Sequence, residues 1–66
     1  EMETLIKAAI ASLPEEEHLV VVLKEYQGMQ YSEIAEIMDC PIGTLKSHNY
    51  RAHQKLNKIL SKYIGD

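Results

Sequence analysis

Three histidines (His18, His48, His53), one cysteine (Cys40) and ten carboxylate side chains are the groups in this sequence with catalytic or metal-binding potential. Their spacing works against both uses. On a helix, His48 and His53 point about 140° apart, so they cannot share a metal as an i, i+4 pair does. Cys40 has no histidine placed by sequence to activate it, and Ser47 has no base at a triad-like disposition. The three glycines are too sparse for a phosphate-cradling loop. These patterns predict no enzyme activity, no metal and no cofactor. A different chemistry is offered by "DCPIGTLKSHNYRAH", residues 39–53. Small, hydroxyl and cationic side chains are interleaved there behind a turn, which suits contact with a polyanion.

The elements that position this stretch follow from apolar periodicity and from two prolines. Leu5, Ile6, Ala9, Ile10 and Leu13 have helical spacing and predict a first helix over residues 2–12. Pro14 is expected to open a second helix at its first position, with Glu15, Glu16 and Glu17 against the positive end of the helix dipole. Leu19, Val22, Leu23 and Tyr26 form its expected inner face, and Gly28 its stop. A short third helix is expected over 31–38, a turn at Asp39 and Cys40, and a long fourth helix over 41–63. On the fourth helix, Leu45, Ala52, Leu56, Ile59 and Leu60 share the inward side. Gly43, Ser47, Tyr50, Arg51, Gln54 and Lys58 lie opposite, and Thr44, His48, Arg51, Lys55, Lys58 and Lys62 run along one flank. Asn49 falls on the inward side, where an apolar residue is expected. The fold class is therefore all-α: four helices, the last two forming a helix-turn-helix, the layout in which the second helix enters the major groove of DNA.

The net charge of −3 sets a puzzle for such a function. Residues 1–40 carry two lysines against nine acids, a net −7, whereas residues 41–66 carry five cations against Asp66, a net +4. This asymmetry points to nucleic acid or an oppositely charged partner at the C-terminal half. Neutralising about four phosphates would give log K against log salt a slope near −3.6. Sixty-six residues suffice for one domain, 1–66. No apolar run approaches the ~20 residues of a membrane span, and one cysteine allows no internal disulfide, as expected in a reducing, cytoplasmic setting. The start at Glu1 suggests a fragment of a longer protein.

The stretch "SLPEEEHLVVVLKEYQGMQYSEIAEIMDCPIGTLKSHNYRAHQKL" resembles region four of the bacterial RNA polymerase sigma factors, particularly the extracytoplasmic-function group. The marks are Leu13-Pro14, Gly28, "YSEIAEIM" at 31–38, "CPIGT" at 40–44, "LKS" at 45–47 and Arg51-Ala52. The resemblance implies a helical domain of the winged-helix-like, sigma region-four type. It implies binding of the −35 promoter element through the last helix, docking on the β flap of the polymerase core, and capture by an anti-sigma factor. Carried over by position, Lys46, Ser47, Tyr50 and Arg51 would be the base-edge and adjacent phosphate contacts, and Gln30 and Tyr31 would meet backbone phosphate. Thr44, His48, Gln54 and Lys55 complete the expected DNA-binding set. The chain departs from the family where His48 and His53 stand for frequent arginines and Asn49 for a usual aliphatic residue. Two other readings stay open: a LuxR-type response-regulator output domain, which also carries an "EIA" helix before "TLKSH", and a protein-interaction module with weak DNA binding.

Overall fold

The structure is a computed structural model that describes residues 1–64. The described residues form four α-helices and no strand: α1 (Met2–Ala11), α2 (Glu15–Val21), α3 (Tyr31–Met38) and α4 (Ile42–Ile64). Helix α1 ends one residue earlier than its apolar pattern predicts, because the Ser12 hydroxyl donates to the Ala9 carbonyl at 2.6 Å and closes the turn.

Both prolines stand just ahead of a helix. Pro14 is the N-cap of α2, not its first helical residue, since its ψ of 152° is extended. Its carbonyl accepts the first helical hydrogen bond, from His18 N–H at 2.8 Å, and Pro41 does the same for Leu45 N–H at 3.1 Å. Beyond Val21 the helix widens into a π turn, Val22–Tyr26. It is stopped by Gly28, whose φ of 70° is the left-handed conformation that glycine adopts without strain. Between α3 and α4, Asp39 is the left-handed residue, with φ 52°, and Cys40 N–H reaches back to the Ala35 carbonyl.

The core has two parts, and α4 runs through both. Ala9, Ile10 and Leu13 pack with Val21, Ala52 and Leu56. Val20, Ile34 and Leu45 form the second cluster, beneath the helix-turn-helix. Val20 and Val21 thus face different clusters, and α2 is the wedge between them. Its inner face is Glu17, Val20 and Val21, with Leu13 buried just ahead of it, whereas Leu19 and Tyr26 are exposed. Of the inner face expected from sequence this corrects Leu19 and Tyr26, while Val22 and Leu23 pack, partly buried, against the two clusters. The face carries a carboxylate, Glu17, so its apolar period is broken one turn before Val20 and Val21.

Candidate nucleic-acid interface

Helices α3 and α4, joined by residues 39–41, form the expected helix-turn-helix. At the start of α3, the Glu33 carboxylate accepts from the Gln30 N–H at 2.9 Å and satisfies a backbone donor the helix would leave open. Helix α4 is held by Leu45 and Ala52, both wholly buried, and by Leu56. With that seam turned inward, the arc of Thr44, Lys46, Ser47, Tyr50 and Gln54 faces outward, and all five are exposed. Within the arc, the Gln54 amide donates to the Tyr50 hydroxyl at 3.1 Å.

The flank of α4 that looked free in the sequence packs on the acidic first turn of α2. Glu17 is buried, and both of its carboxylate oxygens meet the Lys55 ammonium, at 2.9 and 3.1 Å. The Arg51 Nε lies 3.7 Å from the same carboxylate. Arg51 also donates through Nη2 to His48 Nδ1 at 3.0 Å, which leaves the His48 ring proton on Nε2, 3.6 Å from Glu16. On the opposite flank His53 stands 3.4 Å from Glu25 in the π turn. Of the ten residues expected to bind DNA, His48, Arg51 and Lys55 therefore face carboxylates inside the domain. Arg51 and Lys55 remain about half exposed.

Tyr31 begins α3 and is half-buried, with the Lys24 and Lys46 ammonium groups 5.0 and 5.8 Å from its ring centroid. These are cation–π distances. Asn49, the polar residue at an inward position, donates through Nδ2 to the Tyr31 hydroxyl at 2.9 Å. Sequence reasoning missed Glu17, Lys24 and this Asn49 partner. The i, i+3, i+4 spacing of Glu17, Val20 and Val21 was the available signal for Glu17. Nothing local could have found the other two, because both depend on where α3 packs.

No group of three or more His, Cys, Asp or Glu side chains is placed to hold a metal among the described residues. No helix there is long and apolar enough to cross a membrane. The arrangement presents a braced helix with a polar outer arc, fit to lie along a groove, with cations at its edges.

The family described as Sigma-70, region 4 matches residues 3–56. Over 60 residues the chain is 43% identical to the ECF RNA polymerase sigma-E factor of Haemophilus influenzae, covering 89% of this chain and 32% of that protein. It is 42% identical, again over 60 residues, to the proteins of the same name from Escherichia coli K12 and Salmonella typhi, covering 89% of this chain and 31% of each. The chain spans about a third of the length of these curated relatives. With a match that runs from α1 into the middle of α4, the chain belongs to the Sigma-70 region 4 family.

Proposed function

We propose that this chain is the −35-reading domain of a bacterial sigma factor of the extracytoplasmic-function group. It forms a single helix-turn-helix domain over 1–66, within a longer protein that works in the cytoplasm. It docks on the β flap of the RNA polymerase core and directs initiation by selecting promoters, while performing no chemistry itself. An anti-sigma factor is a further partner. In this proposal Lys46, Ser47, Tyr50 and Arg51 meet base edges and the phosphates beside them, and Gln30 and Tyr31 meet the backbone at the start of α3. Thr44, His48, Gln54 and Lys55 complete the surface.

The observation that carries the proposal is the exposed arc of α4, braced by a buried α3–α4 seam in a chain of this family. Phosphate contacts would fix register, and the arc would read the groove floor. One observation favours the protein-interaction alternative: Glu17 occupies two of the cations that would otherwise address phosphate. An NMR titration at low salt separates the two, using a short duplex with a GGAAC-like −35 element beside a scrambled one. Shifts confined to residues 30–32 and 43–54, larger with the specific duplex, are expected. Shifts absent with both duplexes refute promoter reading and leave protein docking as the function.

A further inference from the structure

Asn49 occupies a position where an aliphatic side chain would pack, and it is poorly satisfied there. Its Oδ1 is buried with no hydrogen-bond partner. Such an acceptor destabilises the fold. The compensating feature is the bond from Nδ2 to the Tyr31 hydroxyl, at 2.9 Å, between residues 18 apart in sequence.

That bond has a consequence for the Tyr31 proton. A phenol oxygen carries two lone pairs and one proton. With one lone pair taken by the Asn49 amide, the proton of Tyr31 is left for a partner other than Asn49. Gln30 and Ser32, on either side of Tyr31 in the first turn of α3, are exposed. The Lys24 and Lys46 ammonium groups flank the ring at 5.0 and 5.8 Å. An anion reaching the hydroxyl therefore meets a donor not spent on Asn49 and two positive charges beside the ring that carries it.

We propose that Asn49 is a positioning residue for a DNA phosphate. It locks the Tyr31 hydroxyl as a donor toward the duplex backbone, with Lys24 and Lys46 supplying the local positive charge. The proposal rests on the promoter-reading function above and goes beyond it, since Asn49 itself touches no DNA. It also gives the polar residue at an inward position a reason: packing stability is exchanged for a fixed phosphate contact.

Three variants of the chain test this: Asn49→Leu, Tyr31→Phe and the double substitution. Each is examined by thermal melting and by fluorescence anisotropy with the GGAAC-bearing and scrambled duplexes at low salt. Asn49→Leu should melt higher than the unsubstituted chain yet bind both duplexes about fivefold more weakly, because a phosphate contact is blind to sequence. Tyr31→Phe leaves the buried amide in place and should lose about the same factor, and the double variant should be no weaker than either. A structural role would lower melting temperature and affinity together, and that result overturns the proposal. So does an Asn49→Leu variant with unchanged affinity, or one weakened on the specific duplex alone. If the unsubstituted chain binds neither duplex, promoter reading itself fails and the Asn49 role fails with it.

Discussion

Replacing Glu17 by glutamine tests how much of the domain rests on one carboxylate. The Glu17 side chain is 8% exposed, while its partners Lys55 and Arg51 are 46% and 51% exposed. Two unit charges about 3 Å apart attract by roughly 5–6 kcal/mol at an effective dielectric constant of 20. Stripping water from the carboxylate cancels several kcal/mol of this. A net contribution of about 2 kcal/mol remains, in the range of hydrogen bonds to charged groups. Glutamine keeps the volume but offers no charge, so Glu17→Gln should destabilise by about 2 kcal/mol. Lys55→Gln should cost only about 1 kcal/mol, because Arg51 still faces the carboxylate and a half-exposed lysine regains water readily.

The cycle Glu17→Gln, Lys55→Gln and their combination, followed by circular dichroism in urea and on heating, should give a coupling of about 1 kcal/mol. In a domain this small each kcal/mol moves the melting temperature by about 4–8 °C, so Glu17→Gln should fall by roughly 8–16 °C. The coupling should persist at high salt, because a buried carboxylate is weakly screened. Replacing the pair with methionines should be close to neutral, since apolar packing substitutes for a buried ion pair where a broken pair does not. A Glu17→Gln variant that melts with the unsubstituted chain would refute the reasoning: the carboxylate would then be hydrated and the clamp absent.

Other expectations follow from the same geometry. Leu45→Ala empties the wholly buried centre of the second cluster and should cost about 2–5 kcal/mol by urea denaturation, enough to threaten folding in a domain of this size. Asp39→Gly should stabilise by about 0.5 kcal/mol in the same assay, because φ 52° is strained for a residue with a side chain and easy for glycine. The salt dependence of DNA binding should be shallower than the cation count implies. With Arg51 and Lys55 engaged by Glu17, Lys46, Lys58 and Lys62 remain on α4 and Lys24 beside Tyr31, for a slope near −3.6. Glu17→Gln should steepen it, and a slope near −5.4 for the unsubstituted chain would mean that Glu17 releases both cations on binding.

What the sequence disclosed depended on whether a position was decided locally. Helices α3 and α4, with Leu45, Ala52 and Leu56 as the seam, follow from apolar period and from Pro41, and they stand as expected. The inner face of α2 was not legible in the same way. One of its buried positions is Glu17, and a rule that searches for apolar residues selects Leu19, which is exposed. The π turn has no letter of its own: Val22–Tyr26 reads as ordinary helix. The cationic flank of α4 was legible as a pattern but not as a free surface, because the partner of Lys55 lies 38 residues away on another helix. For Asn49 the difficulty itself was legible, an amide at an inward position, and only tertiary packing could supply Tyr31 as the answer.

The acidic balance of the chain bears on how it would read DNA. Glu16, Glu17 and Glu25, all in the half that carries −7, face His48, Arg51 with Lys55, and His53 on α4. Glu17 takes up the charge of Arg51 and Lys55 on one flank of the presented helix, and Glu16 and Glu25 set negative charge beside His48 and His53, while the outer arc is left untouched. Long-range attraction to phosphate depends on free cations and sets non-specific affinity, whereas hydrogen bonds from Ser47, Tyr50 and Gln54 act only at contact. A helix with its cationic flank neutralised and a polar outer arc therefore gives up affinity for arbitrary DNA more than it gives up discrimination. Under the proposed function, weak intrinsic attraction is an advantage, because the rest of the assembly would supply the grip and this helix would be left to decide between sequences.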